Sequence, residues 1–132
     1  KYTVKGREQI HKNLAIDTAT MLWLMRNPVK GRTIEYADNR ISLYAAQYGK
    51  CAVTGILMDS HDIYCHHKVP VSNGGSDEYA NLILVSKAVH ILIHASSEPT
   101  IEKYLKSLNL DDKQIEKLNK LRTMAEMPPI IL

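Results

Sequence analysis

The chain has 132 residues, 45% of them hydrophobic, which suffices for one domain with a core and is too short for two ordinary ones. Seventeen Lys and Arg against fourteen Asp and Glu give a formal charge of +3, too mild for a histone-like binder of polyanions, and the hydrophobic content excludes intrinsic disorder. No apolar run approaches the roughly 18 residues of a membrane span, and Cys51 and Cys65 are the only cysteines, too few for a disulfide framework. These features predict a cytoplasmic protein that does not enter the membrane. The chain opens on a basic segment without an initiator Met, as the tail of a longer protein would. Its charge is uneven. Residues 1–50 carry nine basic and four acidic side chains, a balance of +5, whereas residues 51–132 carry eight and ten, a balance of −2. A polyanion should feel the first part most.

In chain order, Ile10, Leu14, Ala15, Thr18, Leu22 and Met25 recur at helical spacing and predict a helix over 8–26, with Trp23 and Leu24 widening its apolar stripe. A second helix is predicted over 35–48, with Tyr36, Arg40, Leu43, Tyr44 and Tyr48 near one face and Gly49 at its end. Lys50 to Gly55 reads as a turn or small hairpin leading into Ile56 to Asp59. Ile63 to Lys68 reads as a strand broken by Pro70, Asn73 to Asp77 as a loop, and Leu82 to Val85 as a second strand. Ser86 is a good N-cap for a helix running to Ala95. Thr100 to Leu108 and Asp111 to Ala125 read as capped amphipathic helices, the latter facing inward with Ile115, Leu118 and Leu121 and closed by Met127-Pro128-Pro129. The predicted class is α+β, with a small strand, strand and helix core surrounded by several helices. Residues 1–50 form a basic flanking segment, 51–96 the core, and 97–132 helices packed on it.

Four of the six histidines, His66, His67, His90 and His94, fall within that core unit. His90 and His94 are four apart, so both rings leave one helix face and can converge on a cation. His66 and His67 point to opposite sides of a strand and cannot share one role. One can join the helical pair on a metal while the other stays free as a base. His11 and His61 read as ordinary polar residues, and Asp59 and Asp62 as a solvated loop. Arg40, Lys68 and Lys87 are candidate phosphate contacts, against the plainer reading of a soluble surface. Tyr36 and Tyr79 could stack bases, although core packing is the commoner use.

The run His66-His67-Lys68-Val69-Pro70, then Gly74-Gly75, Asp77, Asn81-Leu82 and His90-x3-His94, resembles the HNH nuclease motif of the ββα-metal fold. The likeness covers about 45 residues, Cys51 to Ala95. The flanks Ile34-Glu-Tyr-Ala-Asp-Asn-Arg40 and Ser42-Leu-Tyr-Ala-Ala-Gln47 resemble the C-terminal endonuclease region of bacterial group II intron reverse transcriptase/maturases. On that resemblance nearly the whole chain is the DNA-binding and endonuclease end of such a protein, with DNA, intron RNA and the reverse transcriptase domain as partners. Position by position, the resemblance implies that His67 is the general base, that His66 and His90 are metal ligands, and that His94 is a third ligand used by some branches. Asn81 matches the asparagine that ties the loop backbone and so fixes the base. The implied reaction is hydrolysis of one DNA strand to a 5′-phosphate and a 3′-hydroxyl.

Imidazole accepts protons near neutral pH without much tuning, and one divalent cation can neutralise charge on a leaving oxygen. Asp77 and Glu78 are the only acids between His66 and His94, so a carboxylate-rich second cation site is not predicted. The family implies Mg or Mn, whereas three imidazoles suit Zn, Ni or Mn better than Mg. Many members carry a zinc knuckle of two Cys-x2-Cys pairs. Here Cys51 is followed by Thr54, and Ser86 and Val89 stand where the second pair belongs, so no structural zinc is predicted. That loss keeps two other readings open: a non-catalytic nucleic-acid-binding module that keeps the fold, and a structural domain in which the metal only holds the chain together.

Overall fold

A computed structural model of the chain describes residues 18–131. The first helix, α1, covers 18–26 within that range, and positions 8–17 of its predicted span lie outside the described residues. Leu24 is buried while Leu22 and Met25 are exposed, so the predicted stripe is rotated. Residues 21–25 are all apolar, and periodicity inside such a run does not single out a face. Both the backbone N–H and the side-chain amide of Asn27 donate to Trp23 O and close the helix.

Helix α2, Ile34–Ala46, starts on Thr33, whose hydroxyl accepts from Tyr36 N, and buries Tyr36, Arg40, Leu43 and Tyr44 on one side. It ends two residues before the predicted limit. Tyr48 and Gly49 both take positive φ, 54° and 70°, and a Cβ on Gly49 would stand 2.7 Å from Tyr44 Oη. Glycine suits the second position for both reasons. The predicted small hairpin follows, with Cys51 N donating to Ile56 O and an antiparallel bridge joining Lys50 to Leu57.

Strands β1, Tyr64–His67, and β2, Leu82–Val85, pair antiparallel with His66 opposite Ile83 and His67 opposite Leu82. Between them lie two short 3-10 turns, Val71–Asn73 and Tyr79–Asn81. The Gln47 amide donates to Leu84 O and accepts from Leu84 N, giving the outer edge of β2 the partners a third strand would supply. Helix α3, Lys87–His94, leaves β2 after the single residue Ser86, its N-cap. Helix α4, Glu98–Leu108, carries Pro99 in its first turn and so begins two residues earlier than predicted. Helix α5, Asp112–Met124, opens with a full capping box between Asp111 and Gln114.

The fold is α+β, as the sequence predicts. Leu82, Leu84, Val85, Val89, Leu92, Ile93 and Leu118 are fully or almost fully buried, and residues of all three predicted stretches join one apolar cluster. Leu118 and Leu121 face inward as predicted, while Ile115 is only half-buried. Arg122 is 2% exposed and fastens α5 to α3, with Nη1 donating to Leu92 O and Ala95 O and Nε to Pro128 O. These bonds satisfy carbonyls that the end of a helix leaves unpaired. Among the described residues, no helix is long and apolar enough to cross a membrane.

Candidate metal centre

Strand β1 alternates its side chains, so Tyr64 and His66 share one face and His67 takes the other. The His66 face looks onto α3, where His90 and His94 stand one turn apart. Ring centroids are 5.5 Å apart for His66 and His90, 5.1 Å for His66 and His94, and 5.0 Å for His90 and His94. One nitrogen from each ring lies within 4.8 Å of the others, close enough to hold one metal ion. Three imidazole nitrogens bound to a single ion sit roughly 3.4 Å apart, so modest ring rotations close the set. Tyr64 stacks on His90 at 5.4 Å and 19°, which limits that ring's freedom.

The chemistry of the three donors fits a cation. His66 is 2% exposed, and its Nε2 is buried without a hydrogen-bond partner among the described residues, a costly state for a polar atom unless something binds it. Burial, followed by the nearby His90 and His94, pushes the His66 pKa down to about 3. Burial also lowers His90 and His94, with His94 adding to the effect at His90 and Arg122 adding to it at His94. All three rings are therefore held in the neutral form that ligates metals. Among the described residues this is the one cluster of three such donors.

On the opposite face, His67 has a side chain 10% exposed and stacks on Tyr36 at 5.5 Å and 20°. Its Nε2 lies 2.7 Å from Asp77 Oδ1, while Nδ1 makes no hydrogen bond among the described residues. Asn81 ties the loop: Oδ1 accepts from Val69 N, and Nδ2 donates to Val69 O and Ser76 O. Gly75 packs so tightly on this loop that a Cβ there would fall 1.7 Å from Val69 O.

The candidate phosphate contacts divide. Lys87 is exposed in the first turn of α3 and Lys68 is half-buried just beyond β1. Arg40 is different. It is 5% exposed, and Nη1 donates to Asn27 O at 3.0 Å, linking α2 to the end of α1. A guanidinium enclosed and bonded in this way is not presented to a polyanion, which corrects the sequence reading of Arg40. The Tyr36 side chain is likewise spent inside the fold, its hydroxyl donating to Cys65 O. Asp59 and Asp62 accept from the backbone N–H groups of His61 and Lys87, so Asp62 serves the start of α3. His11 lies outside the described residues.

Cys51 and Ser86 are brought together, and the buried Cys51 Sγ accepts from Ser86 N at 3.4 Å. Burial pushes the Cys65 thiol up to about 11, so it stays protonated. Sequence reasoning missed what Asp77, Thr33 and Arg122 do. Asp77 stood in the nuclease-like motif and among the few acids near the histidines without a role of its own, and its contact with His67 spans ten residues. No family model, curated protein or solved structure matches the chain, which leaves the chemistry of these side chains as the ground for its function.

Proposed function

We propose that the chain is a metal-dependent DNA endonuclease domain of the HNH kind, from a group II intron-encoded protein. It nicks one strand of duplex DNA in the cytoplasm, leaving a 5′-phosphate and a 3′-hydroxyl. The observation that carries this reading is the division of labour on β1: His66 joins His90 and His94 at one point, while the next residue, His67, is excluded from that set and held by other partners.

In this scheme His66, His90 and His94 would hold one divalent ion, which supplies charge neutralisation at the phosphate and at the departing oxygen. The resemblance favours Mg or Mn, and the all-imidazole donor set favours Mn, Zn or Ni. His67 takes a proton from water as the water oxygen bonds to phosphorus. The bond from phosphorus to the 3′ oxygen breaks, that oxygen leaves with the electron pair and acquires a proton, and the His67 proton returns to solvent. Asn81 keeps the loop beside His67 in place. Lys68 and Lys87 contact backbone phosphates, and intron RNA with the reverse transcriptase domain brings the target strand to the site.

Nicking of supercoiled plasmid in Mn or Mg tests the reading. The expected result is conversion to open circles that His67→Ala abolishes while the domain stays folded. A chain that binds DNA equally with and without His67, takes up metal and never nicks is a binding module instead.

A further inference from the structure

The loop between the strands presents one carboxylate to His67 and anchors it from behind. Thr33 Oγ1 donates to Asp77 Oδ2 at 2.7 Å, and Asn39 Nδ2 donates to Asp77 O at 2.8 Å, so the first turns of α2 grip both the side chain and the backbone. The other carboxylate oxygen, Oδ1, meets His67 Nε2. Tyr36, from the same helix, stacks under the ring and prevents it from swinging. Bonds from His67 and then from Thr33 hold the Asp77 carboxyl below its usual range, so it is ionised and can only accept.

A neutral imidazole has one N–H and one bare nitrogen. Facing an acceptor, Nε2 must carry the hydrogen. We propose that Asp77 is a positioning residue that locks His67 in the Nε2–H tautomer, leaving Nδ1 as the nitrogen that receives the proton from water. The last step rests on the nuclease reading; the tautomer itself is a property of the folded chain. Serine proteases show how much such a choice matters, since changing the orienting Asp to Asn keeps the geometry yet installs the wrong tautomer.

The test uses nitrogen-15 correlation spectra of the His67 ring in the full metal-free chain at pH about 8.5, about two units above the ordinary histidine value. The expected spectrum shows a protonated Nε2 and a bare Nδ1. In Asp77→Asn, the Thr33 hydroxyl keeps the amide oxygen and turns the NH2 toward Nε2, so the tautomer reverses. Nicking kcat then falls on the order of 10³- to 10⁴-fold, with KM unchanged and the melting temperature near that of the parent. Asp77→Glu, which restores an acceptor, recovers part of the rate. A parent spectrum with hydrogen on Nδ1 overturns the proposal, as does an Nε2–H tautomer that persists in both Asp77→Asn and Asp77→Ala. If the tautomer follows residue 77 while the parent chain never nicks, the positioning role stands and the nuclease reading fails.

Discussion

His66 and His67 are neighbours on one four-residue strand, yet their surroundings are opposed. The His66 side is closed by two more imidazoles and by burial, and its Nε2 has no hydrogen-bond partner among the described residues. The His67 side is polar and bonded, with a carboxylate on one nitrogen and a tyrosine ring against its face. One residue type thus occupies two chemical states because a strand alternates and the elements on its two faces differ. Desolvation beside two other imidazoles leaves a neutral ring suited to hold a metal; an anchored acceptor leaves a ring with a defined orientation.

Replacement of each histidine in turn should separate the two faces most strongly. His66→Ala removes the buried ligand and should weaken Mn or Zn binding more than 100-fold by calorimetry, since even outer-shell partners are worth 10–100-fold. His67→Ala should leave that affinity within about 3-fold, because its ring lies outside the trio. Equal losses in the two variants would erase the distinction.

Acid should reveal the same contrast in the metal-free chain. Burial lowers the pKa of His66, to about 3, and also those of His90 and His94, so below about 6.5 the unfolded chain binds more protons at these positions. Stability is then complete above that pH and falls toward pH 3, by an amount on the order of a few kcal/mol. Urea titrations across this window should show the slope, and His66→Leu should flatten it. A parent chain with no slope would mean that the rings are not desolvated as described.

A smaller effect is expected from Asn81→Ala, which removes three bonds to the loop behind His67. The loss should be about 1–3 kcal/mol by thermal unfolding, with metal affinity unchanged, since the loop touches only one face of the comparison. A drop in metal affinity equal to that of His66→Ala would show that the two faces are not independent.

Much of this was legible in the residues. The pairing of His90 and His94 follows from helix geometry, the cap at Ser86 from its hydroxyl, and β2 from an apolar run bounded by a loop and a cap. Alternation along β1 already said that His66 and His67 must part. Arg40 and Arg122 were harder. A charged side chain on a predicted helix reads as surface, and both can be buried because backbone carbonyls of distant segments, Asn27 O for one and Leu92, Ala95 and Pro128 O for the other, accept their hydrogen bonds.

Local sequence therefore determined where the helices and strands run and which side chains leave each element together, because those properties depend on the element's own period and caps. Alternation alone left open which of His66 and His67 meets the helical pair, and tertiary packing sets His66 there; packing also decided that Asp77 reaches His67 and that Leu24 rather than Leu22 and Met25 turns inward. The reason is physical: periodicity orients side chains about an element's own axis, whereas the face that becomes dry or bonded is set by whichever remote segment packs against it.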